Sequence, residues 1–282
     1  MKPLDHFSPA TREVYQRGSY RVGEFGRCGH DEGTMDMAQD TATRARQGKG
    51  RPRCAGSVQD IINTLLTLER LTTTFYYAGL TSPHVMHNRA LGGPSADPNN
   101  PGLPPGGHPS SVRYLQAALD AEVKHAAALV SAGARSPYGH FYFPSRTFTS
   151  LGVSTHPGQF LGVMDVLETM CEGLYLAAAR DLLQLGYPDV AAVAAQIMGV
   201  ESEHRTLGRI ISGIQPPMTG ALLAEPFPCI DGADATLRSF LLGERYPHAH
   251  GPMRAMSAPT DALVRHVVGK YGTHRVRRFL WT

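Results

Sequence analysis

Two copies of one short motif, each preceded by a glutamate in a helical apolar stretch, constrain this chain more than any other feature. Glu122-Val-Lys-His125 and Glu201-Ser-Glu-His204 are both Glu-x-x-His. A spacing of three places the carboxylate and the imidazole on the same face of a helix. Ahead of the first copy, Glu69 lies in a run whose apolar positions (Ile61, Ile62, Leu65, Leu66, Leu68) keep helical spacing. Ahead of the second, Glu168 lies in the apolar stretch from Phe160 to Leu185. Glu69 is followed seven residues later by Tyr76, and Glu168 seven residues later by Tyr175. From Glu168 to Glu201 is 33 residues and from Glu69 to Glu122 is 53, and the 20-residue excess is close to the size of a Pro/Gly-rich insertion within 81–109. The chain therefore reads as two pseudo-equivalent helix hairpins.

The punctuation around these hairpins gives the architecture. Ser57 followed by Asp60 resembles a capping box and opens a helix that continues to Gly79. Gly-Gly-Pro, Asp-Pro-Asn-Asn-Pro and Pro-Pro-Gly-Gly then exclude regular structure over 81–109. A second helix starts near Ser110 or Ser111 and stops around Gly133. The third begins near Pro157 and ends before Gly186, and the fourth runs from about Asp189 to Gly213. Between the second and third lies an aromatic-rich connector, 133–156, long enough when extended to span a bundle helix. This is an all-α chain: a four-helix bundle with a long crossover between helices 2 and 3. Short C-terminal helices are expected at 233–242 and 260–271. The expected organisation is a flexible N-terminal arm over 1–55, the bundle domain over 56–242, and a C-terminal extension over 243–282.

One glutamate from each of two helices and a Glu-x-x-His from each of the other two form a donor set for a pair of metal ions. Two neighbouring divalent cations repel, so carboxylates must neutralise them while imidazoles set the geometry and leave open positions. The expected ligands are Glu69, Glu122, His125, Glu168, Glu201 and His204. Glu122 and Glu201 are expected to bridge, with Glu69 and Glu168 terminal. A single mid-helix glutamate usually faces solvent. Glu69, however, stands among Leu65, Leu66, Thr72 and Thr73, where an unpaired carboxylate is costly and a metal is an economical partner. Glu172, one turn beyond Glu168, is a rival or additional ligand, whereas Glu203 points off the His204 face. Tyr76 and Tyr175 read as core aromatics or hydrogen-bonding partners of the ligands.

Leu65-Leu66-Thr67-Leu68-Glu69 with Phe75-Tyr76, Ala121-Glu122-Val123-Lys124-His125, Leu167-Glu168 with Tyr175, and Val200-Glu201-Ser202-Glu203-His204 together resemble the ferritin-like domain family. The likeness is to its desiccation-related proteins, within the wider superfamily of ferritins, rubrerythrins and manganese catalases. It covers about 56–242, including Ala224-Glu225-Pro226-Phe227. The resemblance implies a di-iron site of two ions per chain, with manganese as the alternative. The chemistry it implies is redox at the metal, Fe(II) oxidation or peroxide removal, with O2 or peroxide as reactant. The alternative is a non-catalytic bundle related to stress or desiccation, whose site is empty or merely stabilising.

Other function classes find little support. Net charge is +3, with basic runs at Arg44 to Arg53 and at Arg275, Arg277 and Arg278. Neither run is interleaved with aromatics, so solvated tails are expected and nucleic acid is not. Cys28, Cys54, Cys171 and Cys229 form no Cys-x-x-Cys pair, which argues against a zinc ribbon or a disulfide framework. No phosphate-binding Gly-rich loop and no Gly-x-Ser-x-Gly elbow occurs. No apolar run reaches the roughly 20 residues of a membrane span, and the N-terminus lacks a secretory core. A cytoplasmic protein is expected, with a homodimer through apolar helix faces as the expected assembly.

Overall fold

The computed structural model describes residues 57–86, 88, 91, 110–153, 155–214, 227, 229–230, 233–245 and 251–268. The N-terminal arm, both basic runs and most of the Pro/Gly insertion lie outside the described residues. Four long helices dominate: α1 (Val58–Thr81), α3 (Ser110–Ser131), α4 (Phe160–Gln184) and α5 (Pro188–Ile211). Shorter helices are α2 (Pro83–Met86), α6 (Ala233–Leu242) and α7 (Asp261–Val268). The helical ends follow local chemistry. Ser57 accepts the Asp60 N–H to cap α1, and Pro188, which has no N–H to leave unpaired, occupies the first turn of α5. Among the described residues, no helix is long and apolar enough to cross a membrane.

Hydrogen bonds trace the crossover along the whole of α1. At the start of α1, Gln59 Nε2 donates to Gly133 O (3.0 Å), and Asn63 Oδ1 accepts from Arg135 N (2.7 Å). Midway, Arg70 Nη1 donates to Ser136 O at 3.1 Å. At the far end, Ser82 Oγ donates to Phe148 O at 2.7 Å. The connector thus travels from one end of the bundle to the other before α4 begins. Its aromatics line the end where α1 stops and α4 starts. Phe75 of α1 stacks on Phe160 of α4 with centroids 4.5 Å apart, and Phe143 and Phe148 pack edge-on at 5.3 Å beside them.

Three details depart from the sequence reading, the first being that α1 runs on to Thr81 and α2 (Pro83–Met86) forms inside the 81–109 segment from which regular structure was excluded. Helix α4 starts at Phe160, three residues after Pro157, because Gln159 is still extended (φ −107°, ψ 168°). The first amides of α4 find partners in the connector, Phe160 N on Ser150 O (3.3 Å) and Leu161 N on Leu151 O (2.9 Å). The connector also contains a strand, β1 (His140–Pro144), which pairs antiparallel with β2 (Met253–Ser257) of the C-terminal extension, His140 opposite Ser257. Neither strand was legible, since each is only five residues long and β2 is half exposed. The extension is fastened again where Gln116 Nε2 of α3 donates to Val267 O of α7 at 2.9 Å.

Among the described glycines, Gly162 has the closest neighbour. An added Cβ would lie 1.8 Å from His156 O, a backbone atom. Gly162→Ala is expected to destabilise the protein by about 1–3 kcal/mol, more than the ~1 kcal/mol that alanine adds in helix propensity. A melting temperature that is unchanged or raised in the variant would contradict this packing.

Candidate metal centre

The middles of the four long helices deliver one polar cluster into an otherwise apolar core. Glu69 comes from α1, Glu122 and His125 from α3, Glu168 from α4, and Glu201 and His204 from α5. All four glutamates are fully buried, at 0% exposure. The His204 side chain is 8% exposed and that of His125 is 12%. Both histidines turn Nδ1 inward. His125 Nδ1 lies 3.0 Å from Glu201 Oε1 and 3.5 Å from Glu69 Oε2. His204 Nδ1 lies 2.9 Å from Glu122 Oε1, 3.3 Å from Glu201 Oε2 and 3.9 Å from Glu168 Oε2.

The six residues fall into two overlapping groups. Glu69, Glu122, His125 and Glu201 bring one ligand atom each within 4.8 Å of one another, and so do Glu122, Glu168, Glu201 and His204. Glu122 and Glu201 belong to both groups. Each group is therefore three carboxylates and one imidazole, a hard-oxygen and nitrogen set suited to divalent first-row metals.

An exchange of tyrosines supports the outer carboxylates. Tyr76 of α1 donates to Glu168 Oε1 of α4 at 2.5 Å, while Tyr175 of α4 donates to Glu69 Oε1 of α1. Because tyrosine follows glutamate by seven residues in both helices, both bonds form only if α1 and α4 run antiparallel in one register. Thr72 Oγ1 donates to Glu122 Oε2 at 2.7 Å. These bonds occupy outer oxygens and leave the inner ones free. Among the described residues, ten buried side-chain N or O atoms have no aligned hydrogen-bond partner, and seven belong to this cluster. They are Glu69 Oε2, Glu122 Oε1, Glu168 Oε2, both oxygens of Glu201, and the two histidine Nδ1 atoms. Orphaned buried polar atoms are costly and rare, so seven converging on one point fit a metal-binding role.

Electrostatics make the same demand. Burial, reinforced by Glu122 and Glu201 in each case, pushes the Glu69 and Glu168 carboxyls well above the ordinary carboxylate range against the pull of the neighbouring histidine. For Glu201, burial also opposes ionisation, but His125 and His204 outweigh it and bring the group from 4.5 down to about 2. Burial opposes the charged form of His125, yet Glu69 and Glu201 raise it from 6.5 to about 11. His204 is raised as well, with Glu122 and Glu201 overcoming its burial. In the metal-free site the raised Glu69 and Glu168 carboxyls keep their protons, and ionising all four would leave two imidazolium ions short of the charge. Two divalent cations would balance all of it.

The remaining sequence candidates lie elsewhere. Glu172 is buried but turns away to accept from Arg205 Nη1 at 3.0 Å, and it belongs to neither group. Glu203 is exposed. Sequence reasoning missed Thr72 and Cys171, although both stand three residues beyond a glutamate of the set and hence on its face. It also missed Arg205 and Arg209, which bind Glu172 and Asp165 across α4 and α5.

Among known families, a model of the ferritin-like domain matches residues 57–213. No curated protein and no solved structure matches the chain.

The shifts set a pH dependence for the metal-free protein. Glu201, whose native value is depressed, contributes stability above about 4.5 that is lost as pH falls through about 2. His125, whose native value is raised, contributes stability below about 6.5 that is lost as pH rises through about 11. Ionising Glu69 and Glu168 in the native state adds a penalty in the same alkaline direction. With chelator present, the melting temperature is expected to be highest near pH 4.5, to fall above it as the Glu69 and Glu168 penalty grows, and to fall more steeply beyond about 6.5. His125→Gln should flatten the alkaline decline. Stability that rises steadily above pH 6.5 would contradict the pairing.

Proposed function

Since the chain belongs to the ferritin-like domain family, we propose that it is a di-metal carboxylate protein, with iron as the first candidate and manganese as the alternative. The observation that carries this reading is the pair of four-residue groups sharing Glu122 and Glu201. In it, Glu69, Glu122, His125 and Glu201 would hold one ion and Glu122, Glu168, Glu201 and His204 the other, so that Glu122 and Glu201 would serve both, Glu69 and Glu168 one each, and each imidazole one through Nδ1. When bound, two iron ions would supply the one-electron steps needed to oxidise Fe(II) with O2 or to remove peroxide.

The chain's own contributions are positional and electrostatic. Tyr76 and Tyr175 hold the outer oxygens of Glu168 and Glu69, which aims their inner oxygens at the cluster. Complete burial of the four carboxylates keeps bulk water from competing for them. Metal entry has to displace the protons that the metal-free site holds on His125 and His204, so affinity rises with pH.

A second reading, a non-catalytic stress-related bundle stabilised by its metal, draws on the same depth of burial, since such a site also suits an ion that is never exchanged. Fe(II)-dependent O2 or peroxide consumption separates the two. Metal that raises the melting temperature without turnover favours the second.

Plasma mass spectrometry after anaerobic Fe(II) or Mn(II) loading and desalting is expected to find two ions per chain, one for each group. Glu122→Ala is expected to abolish paired binding while leaving helical content unchanged, and His125→Ala and His204→Ala should each lose one ion. Metal content unaffected by Glu122→Ala would overturn the assignment.

A further inference from the structure

The near-twofold symmetry of the cluster fails at one informative place. Three residues beyond Glu69 stands Thr72, and three residues beyond Glu168 stands Cys171. Both are fully buried, at 0% exposure. Each occupies the face of its helix that carries the glutamate, so one is the counterpart of the other. Their chemistry differs. The Thr72 hydroxyl has three oxygens in reach: Glu122 Oε2 at 2.7 Å, Glu69 O at 3.1 Å and Leu68 O at 3.2 Å. It has one proton to give, and the nearest acceptor is also the carboxylate, where a charge-assisted bond is roughly twice as strong as a neutral one. Glu122 is thereby held at Oε2, with Oε1 facing His204 Nδ1 at 2.9 Å.

Glu201 accepts from no hydroxyl, and its oxygens face only His125 Nδ1 at 3.0 Å and His204 Nδ1 at 3.3 Å. Both of its oxygens lack an aligned hydrogen-bond partner. The counterpart of the threonine hydroxyl is a thiol, a weak donor. The two carboxylates common to both groups are therefore not equivalent: one is anchored to α1, and the other is restrained only by its own side-chain torsions and the facing imidazoles.

We propose that Thr72 is a positioning residue that fixes Glu122 as the rigid bridge of the metal pair and leaves Glu201 as the bridge free to change its coordination. This rests on the di-metal reading above.

The test is a Co(II) titration of the full-length protein, followed by calorimetry and by the visible ligand-field bands, on wild type, Thr72→Val and Thr72→Ser. Thr72→Val removes the donor at nearly constant volume, and Thr72→Ser restores it. Wild type is expected to bind two ions. Thr72→Val should bind at least one of them about 10- to 100-fold more weakly, the range typical of losing a hydrogen-bond partner to a ligand, with altered bands. Thr72→Ser should recover both affinity and spectrum. Metal-free melting temperatures separate a positioning effect from general loosening, and Thr72→Ala replaces the valine variant if that one fails to fold. Two ions bound by Thr72→Val with wild-type affinity and bands would overturn the positioning role and leave the di-metal reading standing. A serine variant as impaired as the valine variant would overturn it too, because the hydroxyl would not be the cause. Wild type that binds no Co(II) would overturn both.

Discussion

Four carboxylates meeting in a core with no access to water is the condition on which the rest of this bundle depends. A buried carboxylate without a partner costs several kcal/mol even after relaxation, and Glu69, Glu122, Glu168 and Glu201 are all buried within one cluster. Each has its own relief. Glu69 and Glu168 accept from tyrosines, Glu122 from a threonine, and Glu201 faces two imidazoles. The relief is partial, since inner oxygens remain orphaned. A protein that keeps such a centre has arranged its helices around unpaired ligand atoms.

The surrounding structure makes that arrangement rigid. At one end of the bundle, Phe75, Phe148 and Phe160 pack α1, the crossover and α4 into one aromatic cluster. Across α4 and α5, Arg209 grips Asp165 (2.9 Å) and Arg205 grips Glu172 (3.0 Å), ion pairs flanking the His204 half alone. The corresponding positions on α1 and α3, Leu66, Thr73, Ala126 and Val130, carry no charge. The two halves share their inner ligands and differ in what stands behind them.

Much of this was legible because helices are periodic objects. Glu-x-x-His fixes a shared face whatever the tertiary context, and the matched offsets Glu69 to Tyr76 and Glu168 to Tyr175 identified both hairpins before any packing was known. The family match over 57–213 and the helical architecture agree with that reading. What escaped depends on partners distant in sequence. The late start of α4 follows from amides that bond to Ser150 and Leu151, and the β1–β2 ribbon joins segments more than a hundred residues apart. Glu172 could not be separated from Glu168 by spacing alone, because Arg205, which turns it away, sits on another helix. Cys171 carried no cysteine pattern, and its position matters only by comparison with Thr72.

The exchanged tyrosines have a bearing on how such a chain can vary. Seven residues of helix rise about 10.5 Å, and that interval, used once in α1 and once in α4, acts as a ruler for the distance between the outer carboxylates. One residue inserted between Glu69 and Tyr76 would rotate the phenol by about 100° about the helix axis and pull it off Glu168. Side chains elsewhere on these helices can be exchanged, but the count between glutamate and tyrosine cannot. Length is free to drift only between helices, where the first hairpin already carries 53 residues from Glu69 to Glu122 and the second manages with 33 from Glu168 to Glu201.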